Sequence, residues 1–231
     1  MDIGLYIVLT SPRAGYRACA EAAVRANVSF IQLRMKHASD AEILATGQEL
    51  RSITKGTSTR FILNDNPALA VQCDADGVHV GQDDISVAEV RRRFPELRVI
   101  GLSTHSMEQM RSAEKQRGAS LPTCAEATHQ PRKSGDLRHV GDARPPDYIG
   151  IGPVFATPTK PDYGSLGLAT AAAIATATSL PYVAIGGIDA TTLPHVLAAG
   201  IRHVAVVRAV CDSPHPYDAI RRLQETISAI G

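Results

Sequence analysis

The chain has 231 residues, with 24 Lys and Arg against 23 Asp and Glu and a formal net charge of +1. This balance argues against the broad attraction by which basic proteins bind nucleic acids or anionic membranes, so we expect neither as a partner. The length suits one large α/β domain, and we interpret residues 1–231 as a single domain.

Four cysteines are widely spaced along the chain and form no CxxC pair: Cys19, Cys73, Cys124 and Cys211. This spacing predicts neither a disulfide framework nor a zinc site, and it suits a reducing cytoplasm. The segment MDIGLYIVLT has no basic stretch before its apolar residues, and no apolar run approaches the roughly 20 residues that span a bilayer. We therefore expect a cytoplasmic protein.

Short apolar segments alternate with segments of helical periodicity along the whole chain. Eight short segments are predicted as strands buried on both faces: Leu5–Thr10, Ser29–Arg34, Arg60–Asn64, Gly77–His79, Arg98–Leu102, Tyr148–Gly152, Tyr182–Ile185 and His203–Val207. The predicted helices include Tyr16–Ala26, Asp40–Lys55, Val87–Phe94, Ala169–Thr178, Thr191–Ala199 and Pro216–Ile230. Eight such units predict an α/β fold, a single (βα)8 TIM barrel, which typically takes about 250 residues.

The segment Gly118–Pro146 interrupts the alternation with prolines, mixed charge and no apolar periodicity. It follows the fifth helix and precedes the sixth strand, so we predict an exposed loop inserted there. Such a connection lies at the end of the barrel opposite the active site. Cys124, His129 and His139 within it match no metal-ligand spacing, and we favour a surface loop over a metal site.

Polar residues follow several of the predicted strands, whose C-terminal ends converge at one mouth of a barrel. After the second strand, alternation places Gln32, Arg34 and Lys36 on one side of an extended segment. Two cations and an amide together suit a diphosphate group. Charges that simply meet solvent at the end of a strand are the alternative interpretation.

Carboxylates follow the next two strands, in Asn64-Asp65-Asn66 and in Gly81-Gln82-Asp83-Asp84. A pair of carboxylates suits Mg²⁺, which leaves its other positions to water and phosphate, and Asp65 and Asp84 are the predicted ligands. The alternative for Asp83 and Asp84 is capping of the helix before Val87, with Asp83 the better candidate for a cap. His79 is interpreted as a core histidine whose hydrogen bonds are satisfied.

The last strands predict a phosphate site, because loops after strands seven and eight of such barrels commonly bind phosphate through backbone N–H groups. Gly186-Gly187 and Val207-Arg208 stand at these positions, although a Gly-Gly pair also serves simple turns. The sixth strand runs into a proline-rich loop that carries Thr157, Thr159 and Lys160. We predict that this loop closes over the ligand.

Seven separated blocks resemble the thiamine phosphate synthase family, in the family's order: IQLRMKHAS, ILNDNPALA, ADGVHVGQDD, GLSTHS, YIGIGPVFATPTKP, VAIGGI and VAVVRAV. The resemblance covers about Leu5 to Ile230 apart from the insertion. It implies two phosphorylated small-molecule substrates, an aminopyrimidine diphosphate and a thiazole phosphate, with Mg²⁺ as the cofactor.

The resemblance also implies roles for individual residues. Pyrimidine diphosphate binding is carried over to Gln32, Arg34, Lys36, Asn64, Ser103 and Lys160, of which Arg34, Lys36, Ser103 and Lys160 are the expected catalytic residues. Thiazole phosphate binding is carried over to Thr157, Thr159, Gly186, Gly187, Val207 and Arg208, and Mg²⁺ binding to Asp65 and Asp84. The implied reaction is a dissociative substitution, in which diphosphate departs before the thiazole nitrogen attacks.

Three features depart from the family pattern. Arg208 stands where some members have serine, and its side chain either grips the thiazole phosphate or points to solvent. Met35 replaces a common glutamate, at a position that alternates away from the diphosphate side. The insertion is longer than usual. By analogy with other barrels, a homo-oligomer is possible.

Two alternatives remain open from the sequence. A thiazole tautomerase shares the fold but should lack the diphosphate-binding residues, and His105 would be its candidate acid or base, although we prefer a helix-start role near Ser106. A non-catalytic barrel that binds phosphorylated metabolites is the other, since a fold alone does not fix a function. Mg²⁺-dependent binding of the pyrimidine diphosphate would distinguish them from a synthase.

Overall fold

The structure is a computed structural model and describes residues 3–115, 144–157 and 164–230. Eight parallel strands close into a barrel in chain order, and the (βα)8 prediction is confirmed. The strands are β1 Leu5–Leu9, β2 Phe30–Leu33, β3 Arg60–Asn64, β4 Gly77–Val80, β5 Val99–Thr104, β6 Tyr148–Ile151, β7 Tyr182–Ile185 and β8 Val204–Val206. Most of the predicted insertion lies outside the described residues, and so do Cys124, His129 and His139.

Helices surround the barrel on the outside of the strands. Their bounds are α1 Tyr16–Arg25, α2 Asp40–Thr54, α3 Pro67–Gln72, α4 Val87–Arg93, α5 Met107–Lys115, α6 Leu168–Ala177, α7 Leu193–Ala198, α8 Arg208–Cys211 and α9 Pro216–Ile230. Side-chain caps begin several of them. Ser39 and Glu42 form a reciprocal capping box on α2, and Asn66 accepts from Leu69 N at the start of α3.

One predicted alternative is wrong. Asp83 and Asp84 do not cap the helix before Val87, because Ser86 stands closer to α4 and accepts the Glu89 N–H at 3.2 Å. Asp84 instead accepts a hydrogen bond from Gly81 N at 2.7 Å, within its own loop. That contact holds the Asp84 carboxylate at the mouth of the barrel rather than on the helix.

The core has two layers, because alternate residues of each strand face opposite sides. Residues between strands and helices form the larger cluster, which includes Ile7, Ile31, Leu63 and Ile100. Inside the barrel lies a smaller one: Ile3, Tyr6, Val8, Phe30, Ile62, Val99, Tyr148, Val183 and Ala205. The same alternation carries inward-facing positions of the strands to the mouth, among them Gln32, Asn64 and Ser103.

Two aspartates at the N-terminal end of the barrel bind their neighbouring strands in the same way. Asp76 N donates to Phe61 O, while Asp76 Oδ2 accepts from Phe61 N at 2.8 Å and from Arg51 at 3.1 Å. Asp147 N donates to Ile100 O, while Asp147 Oδ2 accepts from Ile100 N at 2.7 Å and from Arg91 at 3.2 Å. In each case one carboxylate oxygen joins a backbone N–H of the neighbouring strand to an arginine.

Candidate active site

A cavity of about 270 Å³ opens at the C-terminal end of the strands. Nine of the residues proposed for substrate binding line it, contributed by six of the eight strands or their following loops: Gln32, Arg34, Asn64, Ser103, Thr157, Gly186, Gly187, Val207 and Arg208. The lower wall is apolar or aromatic and includes Val8, Val183 and Ala205. A largely apolar pocket with a few convergent polar groups is the usual form of a small-molecule site.

The cationic side of the mouth follows β2. Arg34 N donates to Leu9 O at 3.0 Å, which fixes the backbone beside β1 as the strand ends. Burial lowers the pKa of the Arg34 guanidinium, and the Asp65 carboxylate opposes that shift. Lys36 lies farther out and forms an ion pair with Asp65, with 3.1 Å between Nζ and Oδ2. A partly dehydrated guanidinium favours an anionic ligand, because little hydration has to be removed when it binds.

The two predicted metal ligands are close to one another. Asp65 has a left-handed backbone (φ +63°) between the end of β3 and the cap residue Asn66, which turns it out of the strand. Loss of hydration raises the pKa of the Asp84 carboxyl, Gly81 N–H opposes this, and the neighbouring Asp65 carboxylate raises it further. The two carboxylates carry like charges, and one lysine lies beside them. A divalent cation bound to their oxygens would relieve the repulsion between them.

This donor set fits Mg²⁺ better than a softer metal. Among the described residues, no group of three or more His, Cys, Asp and Glu side chains is arranged to hold a metal ion. Mg²⁺ commonly binds through one or two carboxylates and completes its shell with water and substrate phosphate. The pair of Asp65 and Asp84 therefore suits a metal that arrives with a phosphorylated ligand.

The glycine pair after β7 packs against the loop that follows β6. Val154 N donates to Ile185 O and Phe155 N to Gly186 O, at 2.9 and 3.0 Å. Both glycines have positive φ angles, and a β-carbon on Gly187 would overlap Phe155. Their conformational freedom thus brings the β6 loop across to β7, and it leaves Gly186 and Gly187 on the cavity wall.

Not every predicted residue is located. Thr157 lies on the cavity wall, while Thr159 and Lys160 lie outside the described residues. Lys36, Asp65 and Asp84 surround the mouth rather than line the cavity. Arg208 begins α8 directly after Val207 and lines the cavity, so its described position faces the site.

Three residues that the sequence interpretation left out of the site lie at its base, and two of them, Tyr6 and His79, line the cavity. Tyr6 and Tyr148 are fully buried, their hydroxyl oxygens are 2.9 Å apart, and burial raises the pKa of both. His79 does have satisfied hydrogen bonds, as expected, but it also lines the cavity and contacts Ser103. Alternation along β1, β4 and β6 was the signal available for finding them, since each faces inward.

His105 also lines the cavity. Its Nδ1 contacts Gly152 O, and its backbone N–H donates to Gln109 at 2.7 Å just before α5. The helix-start contact agrees with the preferred interpretation of this histidine. The contact with Gly152 joins the loops after β5 and β6.

Comparison with known proteins gives the family. A family model described as thiamine monophosphate synthase matches residues 5–141 and 127–210. Thiamine-phosphate synthase of Thermus thermophilus is 36% identical over 232 residues, covering 98% of this chain and 98% of the relative. The chain belongs to the thiamine monophosphate synthase family. The matched ranges include every residue assigned above to substrate or metal.

Two further relatives define the extent of the likeness. Thiamine-phosphate synthase of Synechococcus sp. WH7803 is 38% identical over 208 residues. The match covers 90% of this chain but 51% of that relative. The chain thus spans about half the length of the cyanobacterial relatives it matches. The solved thiamine phosphate pyrophosphorylase of Pyrococcus furiosus superposes with a TM-score of 0.78 at 27% identity, over 99% of this chain and 96% of that one.

None of the described helices is long and apolar enough to cross a membrane. The described cysteines Cys19, Cys73 and Cys211 are free and buried.

Proposed function

We propose that the protein is a thiamine phosphate synthase, which joins an aminopyrimidine diphosphate to a thiazole phosphate and releases diphosphate. The observation that carries the proposal is the arrangement of the mouth. Arg34, Lys36 and the Asp65–Asp84 pair stand on one side of the cavity, and Gly187 and Arg208 line its wall. Two anion sites around one cavity suit a reaction between two phosphorylated molecules.

The pyrimidine diphosphate would bind along β2 to β5. Arg34 and Lys36 would hold the diphosphate, Lys160 would join them from the β6 loop, and Asn64, Gln32 and Ser103 would orient the ring end. The C–O bond to the diphosphate breaks with its electrons, so negative charge grows on the leaving group. Fixed cations in a site that excludes water stabilise that charge more in the transition state than in the ground state.

The thiazole phosphate would bind across the mouth. Thr157, Thr159, Gly186, Gly187, Val207 and Arg208 would hold its phosphate. The thiazole nitrogen already carries a lone pair, so it forms the new C–N bond without a general base. Positioning of two ligands and stabilisation of charge would supply the rate, so the reaction needs no activated nucleophile, and the contact of His79 with Ser103 would not act as a nucleophile–base pair.

Mg²⁺ would be held by Asp65 and Asp84. When bound, it would neutralise charge on the departing diphosphate. The support for this assignment is the proximity of the two carboxylates: loss of hydration raises the pKa of Asp84, and the neighbouring Asp65 carboxylate raises it further. Lys36 already neutralises part of it through Asp65.

The proposed setting is a reducing cytoplasm, in which the buried free thiols of Cys19, Cys73 and Cys211 remain reduced. We expect no nucleic acid partner, since the net charge is close to zero. A homo-oligomer is proposed by analogy with other barrels, and light scattering on the purified chain would test it.

The test is thiamine phosphate formation from the two purified substrates, with and without Mg²⁺. The wild type should form product only with the metal, and Asp65→Ala and Lys160→Ala should each lose most of it. Asp83→Asn is the matched control, because Asp83 is exposed and adjacent to Asp84 but has no proposed role. A folded wild type that forms no product would overturn the proposal in favour of a thiazole tautomerase or a non-catalytic barrel.

A further inference from the structure

Five side chains form one continuous hydrogen-bonded chain at the base of the cavity, and all of them except Tyr148 line it. Gln32 Nε2 lies 2.9 Å from Tyr6 Oη, which lies 2.9 Å from Tyr148 Oη. Tyr148 Oη is 3.0 Å from His79 Nδ1, and His79 Nε2 is 2.9 Å from Ser103 Oγ. The chain joins two cavity residues, Gln32 and Ser103, through three side chains for which neither the sequence interpretation nor the proposed function has a role.

One arrangement of the protons satisfies every group of this chain with partners inside the protein. Gln32 Nε2 can only donate, so Tyr6 Oη accepts from it. Tyr6 and Tyr148 are fully buried, and burial raises the pKa of both hydroxyls, so each stays a phenol with a single proton. Among the described residues, Tyr148 Oη is the one acceptor bonded to Tyr6, so the Tyr6 proton goes to Tyr148.

The order of donors and acceptors continues from Tyr148 to the cavity. Tyr148 accepts from Tyr6, so its own proton goes to His79 Nδ1, which must then be unprotonated. A neutral imidazole with a bare Nδ1 carries its proton on Nε2, which therefore donates to Ser103 Oγ. Ser103 accepts from His79, which leaves its own proton to be donated into the cavity that it lines.

The reverse arrangement leaves the Tyr6 proton without a protein acceptor among the described residues. If Tyr148 donated to Tyr6, that proton would have to be accepted by a ligand or solvent in the cavity that Tyr6 lines, whereas the favoured order keeps every bond within the protein. Two glycines make room for the side chains of His79 and Tyr148, whichever way the protons point. A β-carbon on Gly101 would overlap His79 Nδ1 and the Tyr148 ring, and one on Gly150 would crowd the His79 ring.

We propose that Gln32, Tyr6 and Tyr148 fix His79 as the tautomer protonated on Nε2, and that His79 thereby turns Ser103 into a hydrogen-bond donor toward the bound ligand. Tyr6, Tyr148 and His79 are positioning residues, since they act through Ser103. This inference rests on the proposed function for its ligand, an aminopyrimidine diphosphate, whose ring nitrogens can accept such a bond. The tautomer itself does not depend on that function.

The first test reads the tautomer in the resting protein. Nitrogen NMR of the full chain with ¹⁵N-labelled histidine, with the His79 signals assigned through His79→Gln, should show an unprotonated Nδ1 and a protonated Nε2. A protonated Nδ1, or signals averaged between two tautomers, would overturn the proposal. Because this measurement needs no substrate, it identifies the tautomer even if the chain forms no thiamine phosphate.

The second test asks whether Tyr148 acts through Ser103. Tyr148→Phe should release the tautomer and lower kcat/KM by about 10- to 100-fold, the loss expected for one hydrogen bond in the transition state. In a Ser103→Ala background the same change should have almost no effect, because there is no longer a hydroxyl to orient. Equal losses in both backgrounds would contradict the proposal.

Tyr182→Phe is the matched control. Tyr182 starts β7, and its hydroxyl accepts from Arg202 N at 3.3 Å, away from the cavity. The control should keep both the His79 tautomer and the wild-type kcat/KM. If Tyr182→Phe also lost the His79 tautomer, the loss would be a general response to removing any tyrosine hydroxyl from the barrel. The proposal would then fail.

Discussion

The two ends of strand β4 carry aspartates with opposite surroundings. At the N-terminal end, Asp76 is bonded to a backbone N–H and to Arg51, both within the protein. Just beyond the C-terminal end, Asp84 has one backbone N–H and lies beside a second carboxylate, Asp65. The same residue type is bonded to an N–H and an arginine at one end and lies beside a like charge at the other.

This difference separates structural from functional carboxylates without reference to any relative. A paired aspartate stabilises the fold, and its removal leaves a buried partner. A crowded aspartate stores electrostatic repulsion that a cation can relieve, so the fold gains little from it. Asp147 repeats the pairing of Asp76 two strands farther along, which makes the N-terminal end a consistent reference for the comparison.

The largest expected effect is on catalysis at the C-terminal end. Asp84→Asn should lower Mg²⁺-dependent product formation by about 100-fold or more, because a neutral amide holds the cation poorly. Its free energy of unfolding without metal should be unchanged or slightly higher. Steady-state assays measure product formation, and urea unfolding in a chelator measures the free energy of unfolding. A large loss of stability would show that Asp84 stabilises the fold as the paired aspartates do, and the contrast between the two ends of β4 would not hold.

The next effect is on stability at the N-terminal end. Asp147→Asn should lower the free energy of unfolding by about 2–3 kcal/mol, because the largely buried Arg91 loses its counter-ion. Asp76→Asn should cost less, since Arg51 is more exposed than Arg91. Urea unfolding measures both. The folded fraction of either variant should keep the wild-type kcat, and a reduced kcat would assign this end a catalytic role.

The smallest expected effect is on the pH dependence of stability, to which Asp74 and Asp84 contribute with opposite signs. A hydrogen bond from Arg51 lowers the pKa of Asp74, so the stability it contributes at neutral pH is lost as pH falls through that lowered pKa. The pKa of Asp84 is raised, so its charge opposes folding at neutral pH, and stability is regained as pH falls through the raised value.

Thermal unfolding of Asp74→Asn and Asp84→Asn, from about pH 7 down to about pH 3 in a chelator, would measure this pair. Relative to the wild type, Asp74→Asn should be less stable at neutral pH and Asp84→Asn slightly more stable. Both differences should shrink toward acid. Differences of the same sign in the two variants would show that the ends of β4 are not electrostatically opposed.

Much of the fold was predictable because buried parallel strands have a strong local signature. The runs at Arg60–Asn64 and Tyr182–Ile185 were predicted with the bounds the structure has. The short helices α3 and α8 were missed, since four to six residues carry too little periodicity to be recognised. Capping by Asp83 and Asp84 was considered as an alternative while Ser86, the actual cap, was not, because several polar residues precede α4 and only their geometry selects one.

The candidate site was predictable where its residues are polar and follow a strand. Arg34, Asp65 and Gly187 stand at such positions, and the structure gathers them at one mouth. Tyr6 and Tyr148 were not found, because a tyrosine inside a predicted strand is ordinary core until its hydroxyl is seen to bond another polar group. The partners of these hydroxyls come from strands far apart in the chain.

The sequence by itself determined the order of the barrel and the identity of the charged residues at its mouth, because strand burial and strand-end polarity are local properties of the chain. Only the tertiary structure decided which carboxylates are paired and how Gln32 is linked to Ser103. Such links depend on distances of about 3 Å between residues brought together by closure of the barrel, and no local pattern encodes them.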